Sequence, residues 1–170
     1  MASPLAVYKL TILYMLDRIN GPIAMSRITE FLLENGYVNF VSLNQTLAEI
    51  EESGLVRSET RRDGSFLYMT QEGTETLSFF SGSLSDEIKE QVDEYLREKG
   101  MELRNDHYLS ADYDRSVSGA WLVHMSVREK NETIIDLTLS VPDEETARQA
   151  ADSWKEKSQE IYTAILDKLF

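Results

Sequence analysis

Between Ser42 and Gly73 the chain reads SLNQTLAEIEESGLVRSETRRDGSFLYMTQEG, a stretch that leaves few folds open. Leu43, Leu47 and Ile50 recur at helical spacing, and SLNQ matches a capping box in which the Ser42 hydroxyl accepts an amide while Gln45 reaches back. The pattern predicts a helix over 43–53, closed by Gly54 as a left-handed C-terminal cap. Strands are expected at Leu55–Thr60 and Ser65–Met69. Asp63-Gly64 between them is a hairpin signal, because both residues tolerate positive φ. Thr70 then serves as the N-cap of a further helix carrying Leu77, Phe79 and Phe80.

Two helices precede this stretch. One, Leu5 to Ile19, carries Tyr8, Ile12, Met15 and Ile19 on one stripe and stops at Asn20-Gly21-Pro22. The next starts near Ser26, buries Ile28, Phe31 and Leu32, and ends at ENGY. Helix, helix, helix, hairpin, helix is the order of a winged helix-turn-helix, expected over residues 1–80.

SGSLSD at Ser81–Asp86 is small and polar, and sets the expected boundary of a second domain over 81–170. There a helix with Ile88, Val92, Tyr95, Leu96 and Lys99 along one side leads into a three-stranded meander. Leu109, Ala111 and Tyr113 alternate in the first strand, Trp121, Val123, Met125 and Val127 in the second, and Ile135, Leu137, Leu139 and Val141 in the third. SVSG and EKNE supply the turns. The last helix, Asp143 to Leu169, spaces Ala147, Ala151, Trp154, Ser158, Ile161 and Ile165 in steps of four and three. So narrow a stripe suits a helix-on-helix seam as well as a helix-on-sheet face. The predicted class is α+β: a winged helix-turn-helix, then a helix, an antiparallel meander and a long helix that dimerise or sense a ligand.

Bulk properties narrow the function classes. An apolar content of 42% over 170 residues supports real cores. The absence of cysteine removes disulfides, thiolate metal sites and cysteine nucleophiles together. The start MASPLAVYKLTILYML has no basic leader, and no apolar run reaches the length of a membrane span, so the expected location is cytoplasmic. The formal net charge of -13 opposes nucleic acid at long range unless charge is segregated. Residues 1–80 hold 6 Lys+Arg against 10 Asp+Glu, a net of -4; residues 81–170 hold 11 against 20, a net of -9.

Several phrases resemble one family. KLTILYMLDRINGPIAMSRITEFLLENGYVNF, IEESGLV, DEYLREKGMELRNDHYLSADY and DLTLSVPDEETARQAADSWKEKSQEIY are similar to a bacterial winged-helix family catalogued as domain of unknown function 4364. The likeness covers nearly the whole chain. LYMTQEGTETL also resembles the hydrophobic-Thr-x-x-Gly-x-x-x-Leu pattern that follows the wing in the wider regulator superfamily. The resemblance implies a winged-helix fold and a role in transcription; it carries over no operator, ligand or catalytic residue.

In such a motif the N-terminal residues of the third helix meet base edges in the major groove. At about 100° per residue, Asn44, Gln45, Ala48, Glu49 and Glu52 face outward from that helix. Asn44 and Gln45 suit adenine, and Ser42 with the helix N-terminus suits a phosphate. Arg57, Arg61 and Arg62 are the basic residues of the hairpin and suit a minor groove or a phosphate. The expected DNA-binding set is therefore Ser42, Asn44, Gln45, Arg57, Arg61 and Arg62. The bland alternatives are capping polar groups on the helix and local pairing of the arginines with Glu59 and Asp63. Residues 42–53 contain no Lys or Arg, while Glu49, Glu51 and Glu52 oppose phosphate, so the competing class is a winged helix that binds a protein instead of DNA.

Other chemistry is thin. His107 and His124 are expected on neighbouring strands without further metal ligands, and Asp106, Asp112 and Asp114 share the parity of a solvated strand face. No phosphate loop, nucleophile elbow or zinc-protease helix occurs, so the chain reads as non-enzymatic, with no cofactor. Trp121, Trp154, Tyr95 and Tyr113 could line a pocket for a small-molecule effector. The stripe of the last helix motivates a homodimer, which suits a two-fold operator.

Overall fold

Asn20, Gly54 and Thr70 punctuate the first part of the chain where the backbone requires them. The computed structural model describes residues 3–61, 64–129 and 132–170. Helix α1 (Pro4–Ile19) is capped by the Ser3 hydroxyl and ends where Asn20 turns left-handed at φ 54°. A two-residue strand β1 (Ile23–Ala24) leads into α2 (Met25–Glu34), and α3 (Phe40–Glu52) follows. Strands β2 (Val56–Arg61) and β3 (Gly64–Met69) come next, then α4 (Gln71–Phe80) and a single 3-10 turn at Ser81–Ser83. Helix α5 (Asp86–Tyr108) connects to β4 (Leu109–Arg115), β5 (Trp121–Glu129) and β6 (Glu132–Val141), and α6 (Glu144–Leu169) closes the chain. Both sheets are three-stranded and antiparallel, in the orders β1-β3-β2 and β4-β5-β6, so the class is α+β as expected.

Helix α3 starts a turn earlier than SLNQ suggests. Asn39 is the N-cap: its Oδ1 accepts from the Ser42 amide at 2.8 Å. Ser42 is then the third helical residue, and Gln45 donates forward to Glu49 at 3.1 Å instead of back to a cap. The capping box does not form, because Asn39 already satisfies the amide it would need. Asn39→Ala should cost about 1 kcal/mol of stability in thermal or urea denaturation, whereas Ser42→Ala should cost far less. The other end of α3 is as expected. Gly54 has φ 75°, its amide donates to Glu51 O at 3.0 Å, and Leu55 N donates to Ile50 O at 3.0 Å, the paired bonds of a Schellman cap.

The chain divides into two compact units, Met1–Arg104 and Asn105–Phe170, some two dozen residues beyond the expected boundary at 80/81. The cause is α5, whose N-terminal five turns complete the first core. Val92 and Leu103 are fully buried in the cluster that holds Ile12, Phe31 and Ile50, and Tyr95 packs on Phe31 with ring centroids 5.0 Å apart. Polar contacts reinforce the docking. The Asp93 carboxylate accepts from Tyr14 Oη at 3.1 Å and from Arg18 Nε at 3.0 Å, and Arg27 Nη1 lies 3.5 Å from Glu102. Burial, then the hydrogen bond to Asp93, pushes the Tyr14 phenol above its ordinary value.

The second unit is a sheet with one helix. Val123, Met125 and Ile135 point from β5 and β6 into a core with Ala147 and Trp154 of α6. The Trp154 indole donates to Ser126 O at 3.0 Å. Ala147, Trp154 and Ser158 are thus spent on the sheet, and the narrow stripe of α6 is a helix-on-sheet face. Asp143 caps α6 by accepting from Thr146 N at 2.8 Å, which holds its carboxyl below the usual carboxylate range. That depressed value means the cap supports α6 above the unfolded pKa and is lost as pH falls through the folded one. Asp143→Asn should keep the cap and remove its contribution to acid unfolding, measurable by titrating helicity at low pH.

Candidate nucleic-acid interface

The expected site residues occupy two elements of the first unit, the N-terminal half of α3 and the hairpin β2–β3. The exposed side of α3 begins with Phe40 and Val41, 68% and 74% accessible, then presents Asn44, Gln45, Ala48, Glu51 and Glu52. Leu43, Thr46, Leu47 and Ile50 hold the other side in the core. Thr46 fits there because its hydroxyl donates to Ser42 O at 2.7 Å. Asn44 and Gln45 are both exposed, and both are engaged locally: Asn44 Nδ2 donates to Phe40 O at 2.8 Å and Gln45 to Glu49. Ser42 is half-buried in the first turn of α3.

The electrostatics of α3 are acidic toward its C-terminus. Glu49 pairs with Lys9 of α1 at 2.6 Å, and that bond, then the one from Gln45, holds its carboxyl below the usual range. Lys9, the one lysine of the first eighty residues, is thereby committed to a carboxylate. Glu51 accepts from the Ser58 hydroxyl at 2.5 Å, tying α3 to β2.

Pairing across the hairpin decides what its arginines do. Arg57 stands opposite Tyr68 and Glu59 opposite Phe66, so Arg57, Glu59 and Arg61 share a sheet face with two aromatic rings. The Arg57 guanidinium lies 4.0 Å from the centre of the Tyr68 ring, that of Arg61 4.0 Å from the Phe66 ring. Arg61 also donates to Tyr68 Oη at 3.0 Å, and its Nε is 3.5 Å from Glu59. Arg57 lies 3.9 Å from the same carboxylate and stays the more open of the two, its side chain 56% accessible against 10%. Arg61 is built into the sheet, and of the two described hairpin arginines Arg57 is the one that solvent reaches. Arg62 and Asp63 lie outside the described residues.

The remaining candidates separate. Helix α5 runs to Tyr108, so Asp106 and His107 are helical and do not continue a strand face with Asp112 and Asp114. His124 sits between Thr138 Oγ1 at 3.3 Å and Asp114 Oδ1 at 3.4 Å, held by its strand neighbours. Among the described residues no group of three or more His, Asp or Glu could hold a metal. Of the four aromatics expected around one pocket, Trp154, Trp121 and Tyr113 share the second core, where Trp121 meets Tyr113 edge-on at 6.2 Å, while Tyr95 belongs to the first core. The second unit has a cleft of about 440 Å³ that includes Tyr108, Val127, Ile134, Lys155, Gln159 and Tyr162.

Residues 8–169 match the model of one family, described as Domain of unknown function (DUF4364). The chain belongs to that family. The match takes in both compact units, so the helix-meander-helix tail is as much a family feature as the first unit. No curated protein and no solved structure matches the chain. No described helix of this DUF4364 member is long and apolar enough to cross a membrane.

Sequence reasoning missed Phe40 and Val41, because it began α3 at Leu43 and left both in the preceding loop. Asn39, three residues before Ser42, was the available signal: an Asn can accept the same amide that a capping serine would release.

Proposed function

We propose that this protein is a cytoplasmic, non-catalytic transcriptional regulator that binds double-stranded DNA as a winged helix-turn-helix homodimer. What supports the reading is the sequence of elements in the first unit: α2 and α3 joined by Asn35–Asn39, with the N-terminal turn of α3 exposed, followed directly by the hairpin β2–β3. In that motif the start of the second helix enters the major groove. Phe40 and Val41 would meet thymine methyls, Asn44 and Gln45 would exchange their local bonds for adenine edges, and Arg57 would lie on phosphate. The second unit would supply the dimer and, through its cleft, a site for a small-molecule effector.

With one accessible hairpin arginine among the described residues and no cation on α3, few counterions are displaced, so affinity falls only gently with salt. Selection of genomic fragments by the purified protein, at low and at physiological salt, tests the reading. A discrete enriched site that is lost in Asn44→Ala/Gln45→Ala and weakened uniformly in Arg57→Ala is the expected result. Arg61 is the poorer choice of variant, since its removal also strips the Phe66 and Tyr68 rings of a partner. No enrichment at either salt would sink the DNA reading.

One observation favours a second reading, a winged helix that binds a protein. The exposed side of α3 joins two large apolar residues to an acidic end, the pattern of an anchor with a charged rim. Absence of DNA enrichment together with a partner lost on Phe40→Ala would select it.

A further inference from the structure

Strand β6 is an outer strand of the second sheet and, among the described residues, pairs with β5 alone. Its other edge offers a row of backbone donors and acceptors, and Asp136, Thr138, Leu139 and Ser140 along it are all exposed. Leu139 is 47% accessible although it shares the helix-facing parity of Ile135 and Leu137, because α6 packs chiefly over β4 and β5. An open apolar edge normally carries lysine, proline or a bulge against self-association. Here the devices stand at the margins. The register shift opposite Val127/Arg128 leaves Ile134 as the extra residue, and Pro142 follows Val141. The segment between them, 135–141, has none.

That segment reads Ile-Asp-Leu-Thr-Leu-Ser-Val and is nearly symmetric about Thr138. We propose that it is an isologous dimer interface: β6 pairs antiparallel with β6 of a second copy, about a two-fold axis at Thr138, to form one six-stranded sheet. An axis through a residue pair is a natural symmetry of antiparallel pairing. In this register Leu137 faces Leu139 of the second copy and Ile135 faces Val141, so the helix-side row is apolar throughout. On the other side Thr138 meets Thr138, and each Asp136 meets Ser140 instead of its own copy. A slip of one residue toward either end would oppose apolar and polar side chains and flip the pattern. A centre at Asp136 would stack the two carboxylates. Centres at Leu137 or Leu139 would also set apolar against apolar, but each pairs only five residues of the segment with one another, whereas the Thr138 centre pairs all seven.

This interface deepens the homodimer element of the proposed function and rests on that element alone; DNA binding can fail without touching it. The experiment is sedimentation of the full chain across concentration, without DNA, for wild type and two variants at the exposed Ser140. Ser140→Asp opposes Asp136 twice per dimer and should weaken association about tenfold. Ser140→Lys supplies the opposite charge at the same place and should tighten it. A unique thiol in this cysteine-free chain, Thr138→Cys, should oxidise to a covalent dimer, while one on the exposed Glu90 of α5 should not. A wild type that stays monomeric up to about 100 µM overturns the homodimer and this interface together. A dimer indifferent to both Ser140 charges overturns the interface and leaves the homodimer standing, and changes of opposite sign establish it.

Discussion

Gly73→Ala should destabilise the first unit by about 3 kcal/mol, an overpacking effect at the upper end of its ordinary range. A methyl group built on Gly73 overlaps the Leu55 carbonyl oxygen and comes within 2.8 Å of Met69 Sδ. The carbonyl cannot retreat cheaply. Thr70 Oγ1 donates toward Gly54 O at 2.6 Å and Leu55 O at 2.9 Å, while accepting from Gly73 N at 3.1 Å, and Thr70 N donates to Leu55 O at 3.2 Å. One threonine thus caps α4 and pins the chain that leaves α3, and the glycine three residues on is what lets the two backbones approach. This is the physical content of the Thr-x-x-Gly phrase. Gly82→Ala is the matched control: nothing lies within 4 Å of its methyl, so its midpoint should stay within about 0.5 kcal/mol of wild type. Equal midpoints for the two variants in urea denaturation would show that the close approach carries no weight.

Trp154→Ala should cost about 4 kcal/mol and unfold much of the second unit at physiological temperature. The side chain is 1% accessible and is by far the largest in a core whose other fully or nearly buried members are Val123, Met125, Ile135 and Ala147. A unit of residues 105–170 has little other apolar surface to offset the cavity. Removing the indole also leaves Ser126 O without its donor. Trp154→Phe keeps most of the ring and drops only the N–H, so it should fall between alanine and wild type. Trp121 remains as a fluorescent reporter in every variant, and denaturation followed through it tests the order. An unchanged Trp121 transition in Trp154→Ala would contradict the assignment of Trp154 as the centre of this core.

The two predictions mark how far local sequence reaches. Thr70 with Gly73, and Gly54, are legible because caps depend on neighbours within a few residues. The stripe Ile88, Val92, Tyr95 identifies α5 as a helix on the same grounds, and the alternations of β4, β5 and β6 identify the meander. The start of α3 was misread because Asn39 and Ser42 are equally good caps on paper. In the fold Asn39 is the one whose side chain accepts an amide of α3, and the earlier start leaves Phe40 and Val41 exposed on the helix. Strand β1 has two residues, too few for any period, and exists because β3 offers it Leu67 and Phe66 to pair with.

What the sequence determined by itself is which residues turn inward: the apolar stripes of α1, α3, α5 and α6 and the inner rows of both sheets follow from periods of 3.6 and 2. What only the tertiary structure decided is what those faces meet. Helix α5 gave its apolar side to the first core, which moved the division of the chain to Arg104, and α6 gave its stripe to the sheet chiefly over β4 and β5, which left Leu139 of β6 exposed. Arg61 became a cover for Phe66, and Arg57 was left as the more accessible of the two. The reason is the same throughout: periodicity records that a face must leave water, but the surface that replaces water lies far away in the chain.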